Sequence, residues 1–227
     1  MTGPDPEEHA RRLAAESLSA DDPTGWFERL YAEAEQGEAV VPWDRGAPHR
    51  MLVEWARAAG LDGHGRTALV IGSGLGEDAE FFSGLGFRTV AFDVSATAVR
   101  AARRRFPDST VRYLTADLLD TPDDWEKVFD LVVESLTVQA LPRSVRLEAV
   151  ARVAGTVGPG GTLIVVAAAR DKRDDPDQGP PWPLTRAEVE SFATGDLRPV
   201  RIEAVRDAQQ PGVRRWRAQF HRDRPRH

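Results

Sequence analysis

The sequence predicts an α/β fold: a doubly wound, mostly parallel sheet with an antiparallel hairpin at its C-terminal edge and a helical cap at its N-terminal end. Three observations carry this. Between residues 66 and 169, short apolar runs of the buried-strand kind alternate with helical stretches. The first run enters a glycine loop that opens a helix, Val70-Ile71-Gly72-Ser73-Gly74-Leu75-Gly76. Later, two segments with apolar residues at every second position flank Pro211-Gly212.

Residues 5–60 read as helical with a break in the middle. One helix starts near Thr24, with Trp26, Phe27, Leu30 and Tyr31 at three-to-four-residue spacing, and another follows Pro48, with Met51, Leu52, Trp55 and Ala56. Residues 40–46 between them form a loop punctuated by Pro42 and Gly46. Next come a strand over 67–71, a helix over 77–85 ending at Gly86, and a strand over 88–92. Ser95 is a natural N-cap for a helix running to Phe106. Residues 111–114, 131–133 and 162–168 are further strands. The helix over 145–157 stops at Gly158-Pro159-Gly160-Gly161.

Residues 170–183 are charged and proline-rich, which predicts a loop over the sheet edge, and Thr185 caps a short helix through Phe192. In the closing hairpin Val200, Ile202 and Ala204 face one way, as do Trp216, Ala218 and Phe220. The expected organisation is a helical cap and Trp-Asp loop over residues 1–63, then a core over 64–227 with a lid-like insert around 170–192.

With 227 residues, 41% of them hydrophobic and 29% charged, the chain can bury one substantial core. The net charge of -6 argues against a surface that tracks phosphates, so no nucleic-acid partner is expected. The absence of cysteine excludes disulfides, thiolate metal ligands and a cysteine nucleophile, and it fits a reducing cytoplasm. Residues 1–10 are acidic and proline-bearing, unlike a signal peptide. The longest apolar run, residues 163–169, is far too short to span a bilayer, so no membrane is expected.

The glycine loop lets a ligand approach the backbone, and the helix after it offers free N–H groups. Asp93 ends the next strand, 19 residues beyond Gly74, where a carboxylate can accept hydrogen bonds from two ribose hydroxyls. Together they point to an adenosine-bearing cofactor. The spacing is G-x-G-x-G and not the G-x-G-x-x-G of pyrophosphate sites. Past the third strand, Asp117 can accept from an adenine amino group and Leu118 can offer a backbone N–H, or Asp117 is simply a turn cap.

This set resembles the class I, Rossmann-like S-adenosylmethionine-dependent methyltransferases, over roughly residues 24–222. More specifically, Pro42-Trp43-Asp44-Arg45-Gly46-Ala47-Pro48 is similar to the proline–tryptophan–aspartate loop of the thiopurine, tellurite-resistance and halide/thiol methyltransferase group. The resemblance implies S-adenosylmethionine as cofactor, S-adenosylhomocysteine as product, and a loop that folds over the methionine end of the cofactor with Trp43 beside it. The implied cofactor contacts are Trp43, Gly72, Ser73, Gly74, Leu75, Asp78, Asp93, Val94, Ser95, Asp117, Leu118 and Glu134. One departure stands out. The acid that the superfamily often carries two positions before the first glycine is replaced by Val70, leaving Asp78, Glu134 or loop carbonyls to hold the cofactor's amino group.

The expected reaction is methyl transfer to a small molecule by in-line displacement, with proximity as the main catalytic device. The related group implies a sulfur or other soft acceptor, while nitrogen and oxygen acceptors of secondary metabolism stay open. No residue stands out as a general base. Asp44 and His49 are candidates, with a turn residue and a surface histidine as their plainer readings. Trp26, Phe27 and Tyr31 from the cap, and Trp182 and Leu184 from the insert, are candidate acceptor contacts. No metal-ligand spacing appears. A nicotinamide-dependent oxidoreductase and a non-catalytic S-adenosylmethionine-binding protein are the competing readings.

Overall fold

The structure, a computed structural model, describes residues 5–170, 179–207 and 212–224. Most of the proposed insert's loop, residues 171–178, and Pro211 of the hairpin turn lie outside them. The elements run α1 (Pro6–Ser19), α2 (Gly25–Glu35), α3 (Arg50–Ala58), β1 (Thr67–Ile71), α4 (Glu77–Gly84), β2 (Arg88–Asp93), α5 (Ala96–Arg105), β3 (Arg112–Thr115), β4 (Phe129–Ser135), α6 (Arg143–Thr156), β5 (Val157–Ala168), α7 (Arg186–Glu190), β6 (Leu197–Arg206) and β7 (Arg214–Arg222). They build one seven-stranded sheet of order β3-β2-β1-β4-β5-β7-β6, parallel from β3 to β5 and antiparallel at β7 and β6. The sheet is thus the doubly wound, mostly parallel one the sequence predicts, hairpin included.

Period-two alternation decides which layer each strand residue joins. From β1, Leu69 and Ile71 point into a cluster with Val132, Leu163, Val165 and the inner face of α6. Ala68 and Val70 point the other way, against Met51, Leu52 and Trp55 of α3 and Phe82 of α4. Both faces are covered, as a parallel sheet requires. Helices α1 and α2 form a smaller cluster of their own around Leu13, Trp26 and Leu30.

Local chemistry fixes the helix starts. Ser95 Oγ accepts from the Ala98 N–H at 2.9 Å, as its place in the sequence predicts. Thr185 and Glu188 form a reciprocal capping box at α7.

Strands β5 and β6 depart from the expected pattern, beyond end shifts of one or two residues in β2, β3 and β4. Helix α6 ends at Thr156, and the glycine–proline step falls inside β5. The β4–β5 register changes there, from Phe129 opposite Val157 to Leu131 opposite Thr162, so the step is an irregularity within the strand. A Cβ at Gly161 would sit 2.7 Å from the carbonyl oxygens of Gly158 and Phe129. In β6 the pairing shifts between Pro199 and Arg201, leaving Val200 as the extra residue of a bulge. Val200 is therefore exposed, whereas Ile202 and Ala204 keep their place opposite Ala218 and Trp216.

Candidate functional site

Strand order reverses direction between β1 and β4, and the loops after those two strands diverge there, the place where open α/β sheets bind ligands. A cavity of about 380 Å³ occupies this position. The glycine loop and Asp93 line one side, the turn after β4 another, and α2 with the Pro42–Pro48 loop roofs it. Among the described residues no helix is long and apolar enough to cross a membrane.

The glycine loop is folded around Asp93. Its Oδ2 accepts from the Gly74 N–H and its Oδ1 from the Ser95 N–H, both at 2.9 Å, so one carboxylate joins the turn after β1 to the turn after β2. Burial pushes the Asp93 carboxyl up to about 6, against the pull of those backbone bonds. Gly74 is left-handed at φ 53°, and a Cβ there would lie 2.9 Å from the Tyr31 hydroxyl. That hydroxyl in turn accepts from Trp43 Nε1 at 2.7 Å. Trp43 also meets Trp26 and Phe27 edge-on, with centroids 6.0 and 6.2 Å away. The Trp-Asp loop therefore sits directly over the glycine loop.

Asp44 ties that loop to α5. Its carboxylate takes a two-pronged bond from Arg105, at 2.9 and 3.1 Å, and also accepts from the Gly46 N–H. Arg105 holds the Asp44 carboxyl below its ordinary range, and Glu77 shares the same guanidinium. Asp78 is partly buried, and the loss of solvent around its carboxyl raises it. It accepts from the His49 N–H at 2.6 Å and from the Ser135 hydroxyl. Asp117 Oδ1 accepts from the Leu119 N–H at 2.8 Å, which is the turn cap named as its plainer role, and Asp117 also lines the cavity.

Of the residues singled out in the sequence, Trp26, Phe27, Tyr31, Trp43, Asp44, Gly72, Ser73, Gly74, Leu75, Asp78, Asp93, Val94, Asp117 and Leu118 all line this cavity. The others do not, each for a local reason. Ser95 is fully buried beneath α2, where Glu28 accepts from its hydroxyl at 2.6 Å. Glu134 Oε1 turns to cap the 3-10 turn Val138–Ala140, accepting from the Thr137 and Val138 N–H groups, and Oε2 is buried with no partner among the described residues. Burial raises this carboxyl to about 7.

His49 is buried, not at the surface. Its Nδ1 caps α3 by accepting from the Met51 N–H at 3.2 Å, and burial, with Arg45 and Arg215 nearby, drops its pKa to about 3. Trp182 packs on Gly179, Leu184 is in the core, and Pro180 and Pro181 form the wall instead.

Sequence reasoning missed Glu28, which also accepts from the Thr97 N–H and hydroxyl and so bolts α2 to α5. It also missed Gln139, Arg45 and Arg215 on the wall. The proline–tryptophan–aspartate stretch marked Arg45 in plain view, but nothing local told β7 which side of Arg215 would face the cavity.

The residues present suit an adenosine-bearing methyl donor. Bare glycine backbone leaves room beside Tyr31 and Trp43, a buried carboxylate stands at the end of β2, a second at the turn after β3, and apolar Ile71, Phe92 and Leu118 lie between.

Comparison with known proteins agrees. Residues 68–161 match a methyltransferase domain. The chain is 27% identical over 201 residues to probable thiol methyltransferase 2 of Arabidopsis thaliana, with 85% of each covered. Its fold is similar to that of the N-methyltransferase NodS of Bradyrhizobium japonicum solved with S-adenosylhomocysteine. That match has a TM-score of 0.65 at 20% identity and covers 86% of this chain and 98% of that one. A structure solved for the conversion of a disulfide bond into a thioacetal group during echinomycin biosynthesis gives a TM-score of 0.69 at 22% identity, covering 86% and 91%. With the methyltransferase domain seated on this sheet and the cavity at its switch point, the chain is an S-adenosylmethionine-dependent methyltransferase, similar in fold to the class I group.

Proposed function

We propose that this methyltransferase acts on a sulfur, or an equally soft nucleophile, of a small molecule. One observation carries the reading: among the described residues, the cavity wall holds no histidine, and every acid on it already has a hydrogen-bond or ion-pair partner. Asp44 and Glu77 share Arg105, Asp78 is bonded to the His49 N–H, Asp93 to two backbone N–H groups, Asp117 to Leu119, and Glu7 to Arg11. Tyr31 does not ionise, because burial raises its hydroxyl well above 10. An acceptor that must shed a proton to a protein base is poorly served here. A thiol, which ionises near neutrality without help, is well served.

In this reading Asp93 receives the ribose, Asp117 and the Leu118 N–H receive the adenine, and Asp78 receives the cofactor's ammonium. Bound S-adenosylmethionine supplies a methyl carbon on a cationic sulfur, open to in-line displacement. The protein's part is to hold the acceptor in line and exclude water. Trp26, Phe27 and Trp43 do so from the cap of residues 1–63, and Pro180 and Pro181 from the insert around 170–192. The similarity to a probable thiol methyltransferase supports the same acceptor.

The test is turnover of thiols, amines and phenols of matched size, followed by release of S-adenosylhomocysteine. Thiols are expected to exceed the others in kcat/KM by about 100-fold or more, roughly what a missing base costs. Rates should rise with pH along each thiol's own ionisation. Preference for amines or phenols overturns the soft-acceptor reading, and cofactor binding with no turnover makes the chain a binding protein.

A further inference from the structure

Two guanidinium groups line the cavity close enough to act on each other. Arg45 comes from the Trp-Asp loop, directly after the Trp43 and Asp44 that roof the glycine loop, and Arg215 comes from the start of β7. Their charges repel, Asp78, Asp207 and Glu77 attract Arg45 from beyond ion-pair distance, and both arginines act on buried His49. Arg215 is anchored by Asp207 at 2.5 Å. Arg45 is not anchored. Among the described residues no carboxylate lies within ion-pair distance of it and no hydrogen bond engages it.

Arg105, behind the wall, shows the contrast, since it is shared by Asp44 and Glu77. Like charges brought together at a cavity, with one of them exposed and bonded to no described carboxylate, form a site for an anion. The nearby apolar surface of Val213, Pro180 and Pro181 offers that anion no competing donor.

We propose that Arg45, in the field of Arg215, binds a carboxylate carried by the methyl acceptor, so that the substrate is a small thiol acid. The inference deepens the soft-acceptor reading and rests on it for the word thiol. A carboxylate at this place has two possible sources, the acceptor and the methionine end of the cofactor. The acceptor is favoured because Asp78 already puts negative charge beside the glycine loop, where the methionine end belongs.

The experiment compares 4-sulfanylbenzoate with its methyl ester in the wild type, Arg45→Gln and Arg45→Lys. It is paired with calorimetric binding of S-adenosylhomocysteine, and of benzoate to the S-adenosylhomocysteine complex. In Arg45→Gln, the preference for acid over ester in kcat/KM is expected to fall at least about tenfold, the value of one charge-assisted bond. Arg45→Lys should recover part of it, and benzoate binding should weaken to match.

An equal loss on acid and ester overturns the proposal. So does a tenfold weaker S-adenosylhomocysteine complex with the preference intact, which assigns the anion to the cofactor. If neither thiol is turned over but benzoate binding depends on Arg45, the soft-acceptor reading fails and the carboxylate site stands.

Discussion

Trp43 Nε1 donates a 2.7 Å hydrogen bond to the hydroxyl of Tyr31, and that hydroxyl stands 2.9 Å from where a side chain on Gly74 would begin. Loop, helix and glycine turn are thus in register through one oxygen. Tyr31→Phe leaves the indole N–H without its acceptor, at a cost of about 1–3 kcal/mol. Its melting temperature should drop by about 2–10 °C. In thermal unfolding of all four combinations, Trp43→Phe should cost less when Tyr31 is already phenylalanine. Strictly additive losses would mean the bond contributes nothing.

The same closeness makes Gly74 intolerant of a side chain. Gly74→Ala combines left-handed backbone, worth about 1–2 kcal/mol, with displacement of the Tyr31 hydroxyl. Calorimetry should show S-adenosylhomocysteine binding weakened by about tenfold or more. Gly84→Ala, in open space on α4, is the control and should bind normally. Normal binding by Gly74→Ala would separate the glycine turn from the cofactor.

Asp93 gives cofactor binding a pH dependence. Burial lifts its carboxyl to about 6, helped by the like charge of Glu28 and opposed by the backbone N–H bonds. As the proposed ribose acceptor it works as the carboxylate. Affinity for S-adenosylhomocysteine should therefore hold above pH 7 and fall below about pH 6, approaching tenfold per pH unit at pH 5. Asp93→Asn should bind weakly and evenly across that range. A flat wild-type profile would remove Asp93 from the binding step.

Glu134 sets a stability trend of the opposite kind to the usual carboxylate. Its folded pKa, about 7, lies above its ordinary value of 4.5, so the folded protein holds a proton that the unfolded chain releases. Its contribution is complete below pH 4.5 and is lost as pH rises towards 7, by up to about 3 kcal/mol. Asp93 adds a trend of the same sign at lower pH. Urea unfolding from pH 4.5 to 7.5 should show a flatter profile for Glu134→Gln than for the wild type. Identical slopes would assign the trend to other groups.

What the sequence made legible was what short-range rules govern. The two-sided apolar run of β1, the Ser95 cap and the capping box at Thr185 depend on neighbours a few residues away. The succession of glycine loop, Asp93 and Asp117 was legible for another reason, since each follows one strand of the alternating pattern. What stayed hidden depends on contacts far along the chain. His49 looks like a surface residue until α4 delivers Asp78 to its N–H from 29 residues away. Glu134 reads as a site acid until the turn after β4 folds back on it. Val200 fits its strand's alternation, and only its pairing with β7 exposes the bulge. Arg45 stands inside a legible motif, but its place beside Arg215 on the cavity wall depends on a strand 170 residues further on.

The position of β7 between β5 and β6 bears on how the molecule is made. During synthesis β6 leaves the ribosome first, yet it has no bonded neighbour other than β7. Until residues 214–222 arrive, β5 presents a bare edge and β6 has no strand to pair with. Arg215 sits on that late strand, so the mouth of the cavity is the last part of the wall to be delivered. A nascent chain stalled before β7 would carry a finished glycine loop and an unfinished acceptor end, with an open strand edge available to any other polypeptide nearby.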